Sequence, residues 1–239
     1  MKTKANVVLI TGGATGIGYA LAKKFFYQGN EVILVSRNNE TLLSAARSLQ
    51  GVRIFAADIT KKNDRQAIVK CFPTVNILVN NAGSQLNKPI AECSEQEIED
   101  ETAVNFTAHV LLTRDFLPIL LGQESSSIIN ITSGLAIVPK QSAAIYCAAK
   151  AAFHSFSRTL RWQLEKSNIS VFEVIPSLVD TAMTAGRGKS KITPDQLVEE
   201  FWRDFKNNQF EIRIGKTKTL MWLNRILPSV AERIMRHGL

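Results

Sequence analysis

Cysteine, histidine, tryptophan and tyrosine each occur only three times in this chain of 239 residues. The cysteines, Cys71, Cys93 and Cys147, include no C-x-x-C pair and leave one over in any pairing. That argues against a disulfide framework and against a zinc site, and for a reducing compartment; they read as packing residues, and no metal is expected. Long hydrophobic runs are missing too. No apolar stretch reaches membrane-spanning length, and Met1, Lys2 and Lys4 lead straight into a short apolar run that ends in Thr-Gly-Gly, unlike a signal peptide. The expected location is cytoplasmic. Acid is scarcer than base, 21 residues against 29, for a net charge of +8. Half of that excess sits in residues 216–239, where Lys216, Lys218, Arg225, Arg233 and Arg236 face only Glu232. No basic run carries interleaved aromatics, so no nucleic-acid partner is expected; an anionic small ligand explains the balance as well.

What is present is an alternation. With 45% hydrophobic residues the chain can bury one large core, and no second domain is required. Short apolar runs at Val7–Ile10, Glu31–Val35, 52–57, 76–79, Ser127–Thr132, Ile169–Ile175 and Phe210–Ile214 read as strands. Helical patterns lie between them, among them 39–49, 61–71, 101–121, 143–166 and 194–207. This predicts an α/β chain, a single-domain, Rossmann-type doubly wound parallel sheet with helices on both faces. The helix at 143–166 is apolar nearly all round, so its outer side is expected to meet another subunit, as a homodimer or homotetramer.

The first strand runs into Thr11-Gly12-Gly13-Ala14-Thr15-Gly16-Ile17-Gly18 and then a helix. Strand, glycine turn, helix is the context of a dinucleotide phosphate cradle: Gly12 permits the turn, Gly16 a close approach of backbone, Gly18 close helix packing. The second strand ends in Ser36-Arg37-Asn38 with no acid for a ribose 2′-hydroxyl. Arg37 offers a fork for a 2′-phosphate, which favours NADP(H) over NAD(H), or else it is an exposed arginine opening the next helix. After the third strand, Asp58-Ile59-Thr60 presents a carboxylate suited to the adenine amino group or to capping a helix. The fourth strand closes with Asn80-Asn81-Ala82-Gly83. Asn80 reads equally as structure or site; Asn81 and Gly83 read as cofactor contacts. Pro176, Val179 and Thr181 follow the sixth strand, with Thr181 placed for a carboxamide. The segment 182–208 reads as a mobile lid, and 216–239 as an interface tail whose apolar stripe suits a neighbour or a membrane surface.

Tyr146 and Lys150 stand four residues apart on one helical face. An ammonium about 4–5 Å from a phenol would stabilise phenolate by a few kcal/mol and lower its pKa by roughly two units, enough for acid/base work near neutrality. Ser133 ends the fifth strand, where a hydroxyl can bond a substrate oxygen. Asn105, amid apolar neighbours, either bends its helix or holds a water. The expected substrate pocket spans about 84–94, 134–145 and 177–215, with Leu135, Ile137, Val138, Leu178, Val179 and Met183 hinting at a moderately hydrophobic carbonyl compound.

Thr11-Gly12 with Gly16 and Gly18, Asp58, Asn80 to Gly83, Asn105, Ser133, Tyr146 and Lys150 together resemble the classical short-chain dehydrogenase/reductases over nearly the whole chain. The runs Thr132–Ala136 and Tyr146–Ser157 are similar to their DltE-like branch. The resemblance implies hydride transfer between a nicotinamide and a carbonyl or alcohol. It also implies a tetrad in which Asn105 anchors a relay water, Ser133 orients the substrate oxygen, Tyr146 passes the proton, and Lys150 holds the ribose. One departure is Pro176-Ser177, where the family usually has Pro-Gly. The alternative is a dinucleotide-binding protein whose output is regulation or scaffolding rather than turnover.

Overall fold

Each of the seven apolar runs forms a strand. In this computed structural model, which describes residues 2–188 and 190–236, they are β1 (Val7–Thr11), β2 (Glu31–Ser36), β3 (Arg53–Ala56), β4 (Ile77–Asn80), β5 (Ser126–Ile131), β6 (Ile169–Ile175) and β7 (Glu211–Arg213). Every pairing is parallel, in the order β3-β2-β1-β4-β5-β6-β7. Strands such as Val8–Ile10 and Ile77–Val79 are buried on both faces, so the sheet requires helices above and below. After β3 the chain crosses to the far side of β1, and a crevice opens where the ends of β1 and β4 diverge.

The helices are α1 (Gly16–Tyr27), α2 (Asn39–Ser48), α3 (Lys62–Cys71), α4 (Glu95–Thr102), α5 (Ala108–Leu121), α6 (Ala144–Gln163), α7 (Pro194–Lys206), α8 (Thr217–Ile226) and α9 (Pro228–Met235). On one face α1, α2 and α7 close over the sheet, with Phe25 against Phe201, Trp202 and Phe205. On the other, Ile68 of α3, Leu112 and Phe116 of α5 and Leu160 of α6 pack together.

Several expectations change. The segment 182–208 is not one lid. Its second half is α7, started by Pro194 and a Thr193–Gln196 capping box, and it buries Leu197, Val198, Phe201, Trp202 and Phe205 in the core. Only the loop before it is free to border a site; Lys189 of that loop and the last three residues of the expected tail lie outside the described residues. The helix expected from Glu101 begins at Glu95, behind a Ser94–Glu97 capping box, and contains a π-helical turn, Ala103–Thr107. By length and composition alone the helical stretch Glu95–Leu121 could span a membrane, although it is not one uninterrupted apolar run. It is a core helix here: Leu112, Phe116 and Leu120 are wholly buried. Helix α6 is not apolar all round: Ser155, Arg158 and Thr159 face outward beside Ala144, Ala148 and Trp162, while Tyr146, Phe153 and Leu160 face in. Cys71 is exposed rather than packed in the core, and Cys147 is buried.

Pro228 splits the tail into α8 and α9. Ala231 and Met235 close on Val138, with Leu135, Ile137, Leu220 and Leu223 beside them. Ile137 and Val138 therefore serve packing under the tail rather than a substrate wall.

Candidate active site

The crevice is held open by side chains that tie β1 to β4. Thr11 Oγ1 accepts from the backbone N–H of Asn81 (2.9 Å) and Ala82 (3.1 Å) and donates to the Val79 carbonyl. Asn81 Nδ2 donates to the carbonyls of Thr11 (2.9 Å) and Gly12 (3.2 Å), so its amide braces the glycine turn from behind. Asn80 is wholly buried and bonds Thr113 and Asn130, a structural role.

The turn itself requires glycine. Gly12 and Gly16 have φ of 63° and 54°, where side chains are strained. A Cβ at Gly18 would lie 2.3 Å from the Gly12 carbonyl oxygen. Helix α1 then starts with no side-chain cap and no acid in its first turn, leaving N–H groups and a positive dipole end for an anion. These features fit a dinucleotide pyrophosphate.

A cavity of about 500 Å³ extends from this turn. Gly12, Thr15, Gly16, Ile17, Asn81, Ala82 and Gly83 line one end; Asn105, Ser133, Tyr146 and Lys150 line the middle, with Pro176, Val179 and Thr181 beside them. Four expected cofactor residues are not in its walls. Gly18 acts by packing, and Ile59 is buried in the core. Arg37 is exposed at the end of β2, close enough to Asp58 to favour its carboxylate. Burial opposes ionisation of Asp58, but hydrogen bonds from Thr60 N–H (3.0 Å) and Oγ1 (2.7 Å) prevail and hold its carboxyl below the usual range. Asp58 does not cap α3, which begins after Lys61.

The π-helical turn places Asn105 inward. Its Nδ2 donates to the carbonyls of Ser84 (3.0 Å) and Glu101 (2.9 Å), and its Oδ1 is buried without a partner. A Cβ on Gly83 would meet that oxygen at 2.7 Å, so glycine keeps the space before it clear.

Ser133 caps a short turn after β5, its Oγ accepting from Leu135 N–H at 3.1 Å. Tyr146 and Lys150 share the inner face of α6, but Lys150 does not aim at the phenol. Its ammonium donates to the Ile131 carbonyl at 2.9 Å and lies 5.8 Å from the centre of the Tyr146 ring. Burial pushes the Tyr146 pKa up to about 12 against a counter-pull from the Ser133 hydroxyl, and burial lowers Lys150 to about 8. The structure thus runs against the expected depression of the phenol: desolvation acts on both groups, raising Tyr146 and lowering Lys150.

Two residues went unnoticed in the sequence. His109, one turn beyond Asn105, is buried, stacks on Phe153 and donates from Nε2 to the Ala82 carbonyl at 2.7 Å. Burial and the Lys150 charge lower its pKa to about 3, so it is a neutral brace for the Asn81–Gly83 segment. Glu101 is also buried, accepting from Leu86 N–H at 2.6 Å; desolvation raises its pKa. A lone ionisable group within an apolar helical stretch was the available signal for His109.

A glycine-turn crevice leading to Ser, Tyr and Lys around one cavity defines the class of nicotinamide-dependent oxidoreductases on a doubly wound sheet. Residues 6–191 match the profile of the short chain dehydrogenase family, and the chain belongs to that family. It is 38% identical over 224 residues, 89% of each chain, to an uncharacterised oxidoreductase, DltE, of Bacillus subtilis strain 168, which supports the DltE branch. In fold it resembles a short chain dehydrogenase from Burkholderia cenocepacia in complex with NADP (TM-score 0.89, 24% identity, 98% of each chain). It also resembles one from Burkholderia phymatum in complex with NAD (TM-score 0.87, 21% identity, 100% of this chain and 98% of that one).

Proposed function

We propose that this protein is an NADP(H)-dependent reductase or alcohol dehydrogenase in which Tyr146 is the acid/base. The observation that carries this reading is the convergence of Ser133, Tyr146 and Lys150 on one cavity that continues to the glycine turn. Gly12, Thr15, Gly16 and Ile17 with the start of α1 would hold the pyrophosphate, Asn81 to Gly83, Pro176, Val179 and Thr181 the nicotinamide half, and Lys150 its ribose. Bound there, the nicotinamide supplies or accepts hydride at the substrate carbon.

The chain's own residues handle position and protons. With its pKa at about 12, Tyr146 is protonated at neutral pH and is poised to donate to a carbonyl oxygen. Ser133 donates to the same oxygen and fixes its direction. The Lys150 ammonium stabilises the phenolate left behind. Asn105 Oδ1, buried and unpartnered, accepts from a water that returns the proton. In the oxidation direction these roles reverse.

Arg37 supports NADP(H) over NAD(H): it is exposed at the end of β2 with Asp58 beside it and no acid at its own strand end. The three thiols, all free, suit a cytoplasmic site, and the outward Ala144, Ala148 and Trp162 of α6 suit assembly as a homodimer or homotetramer. Titrating the protein with NADPH and NADH while following cofactor fluorescence tests the reading. NADPH is expected to bind more tightly, and Arg37→Asp to weaken it about tenfold or more; no binding of either cofactor would refute the enzyme reading.

A further inference from the structure

The far end of the cavity has an unusual charge. Its described walls include Lys140, Lys150, Arg187 and Lys216 and no aspartate or glutamate. Lys150 belongs to the proton machinery, which leaves three cations unexplained. Among the described residues none of the three is ion-paired. Lys140 and Arg187 are instead held by neutral amides on the same segment. Lys140 Nζ donates to Asn87 Oδ1 at 2.7 Å, and Arg187 Nη1 donates to Gln85 Oε1 at 3.0 Å. Both side chains are half-buried, and they come from separate elements, one from the turn before α6 and one from the loop before α7.

Two cations held side by side without a carboxylate repel each other. That repulsion is visible in Lys140, whose pKa is lowered first by burial and then by Arg187. A cleft wall lined by one sign of charge focuses its field and concentrates ligands of the opposite sign. The pair stands on the Tyr146 side of the cavity. Both partners, Gln85 and Asn87, lie on the segment after Gly83, and Arg187 is close enough to act on the Tyr146 phenol as well. The pyrophosphate cradle is built from other residues, those of the glycine turn that opens α1. Gln85 adds a buried Nε2 donor with no partner among the described residues.

We propose that Lys140 and Arg187 form an anion clamp for the substrate, so that the physiological carbonyl compound carries a carboxylate or phosphate beyond the carbon that reacts at Tyr146. This rests on the proposed oxidoreductase reading of the same cavity. Leu135, Leu178 and Leu220 line the space as well, so the anionic group is joined to the carbonyl by an apolar body. Charge at one end and carbonyl at the other would fix which face of that carbonyl meets Ser133 and Tyr146.

A matched pair of probes tests this: 4-carboxybenzaldehyde and its methyl ester, reduced with NADPH by wild type, Lys140→Met, Arg187→Met and Arg187→Lys. In wild type the acid should exceed the ester in kcat/KM by about ten- to a hundredfold, chiefly through KM, as expected for hydrogen bonds to a charged group. That ratio should collapse towards one in both methionine variants and persist in Arg187→Lys. A wild-type ratio near one, or a ratio unmoved by the methionine variants, overturns the clamp and leaves the reductase reading intact. Calorimetry with the two corresponding alcohols and cofactor-free protein separates the claims. If neither aldehyde is reduced but the carboxylate alcohol binds at least about tenfold more tightly than its ester, and loses that margin in the methionine variants, the anion site stands and its assignment to a carbonyl substrate falls. Equal binding of the two alcohols, or binding of neither, refutes the clamp.

Discussion

Replacing Lys150 by methionine should make the cofactor-free protein more stable while abolishing its chemistry. The ammonium is buried, and its one protein hydrogen bond goes to the Ile131 carbonyl at 2.9 Å. Burial lowers its pKa from 10.5 to about 8, and each unit corresponds to about 1.4 kcal/mol, so the charged form costs the native state on the order of 3 kcal/mol. Because the folded-state pKa lies below the unfolded one, this cost is fully present below pH 8 and fades as pH rises towards 10.5. Methionine has similar length and no charge, and leaves only one surplus carbonyl lone pair. Stabilisation of about 1–3 kcal/mol at pH 7 follows, or roughly 2–10 °C in melting temperature for a domain of this size. Thermal melts of both proteins from pH 6 to 10 would check it. The gap should be widest at the acid end and narrow above pH 8. If Lys150→Met is less stable than wild type across that range, or if the gap grows with pH, the account of a desolvated lysine is wrong.

Other substitutions separate packing from chemistry. Gly18→Ala places a methyl 2.3 Å from the Gly12 carbonyl and should lose cofactor affinity by at least about tenfold in a fluorescence titration, with the far-UV spectrum of the fold retained. Tyr146→Phe removes the proton donor and should lower kcat by on the order of 10²–10⁴, while cofactor dissociation constants stay within a few-fold. Phe25→Ala opens the contact with Phe201, Trp202 and Phe205 and should cost about 3–5 kcal/mol in denaturant unfolding; a loss under 1 kcal/mol would mean that α7 does not belong to the core.

The strands, the glycine turn and the positions of Ser133, Tyr146 and Lys150 were legible because each is a short-range pattern: a run of apolar residues, a glycine spacing, a four-residue step on a helix. Helix α7 was legible as a helix over 194–207, but not as part of the core: it was grouped with the lid although Leu197, Val198, Phe201, Trp202 and Phe205 recur at helical spacing. The glycines and basic residues just before it carried the reading past Thr193. The direction of the Lys150 ammonium was not legible at all. It depends on the Ile131 carbonyl, 19 residues away, and on the depth to which packing sinks the phenol. Likewise, the π-helical turn that aims Asn105 has no composition of its own, and Thr217, Leu220 and Met235 reach the cavity only through tertiary contacts.

That last arrangement has a consequence for how the protein comes into being. The glycine turn and the strands that frame it are complete in the chain by Ile131, whereas the far wall of the cavity waits for Thr217, Leu220 and Met235. Synthesis runs from the N-terminus at about 5–20 residues per second, and a domain's parts can settle as they emerge. A chain of which only the residues before α8 have emerged from the ribosome would thus present a dinucleotide crevice open to solvent on its substrate side. Helices α8 and α9 complete one wall of the cavity without adding a strand to the sheet, so that wall can be rewritten without disturbing the strands.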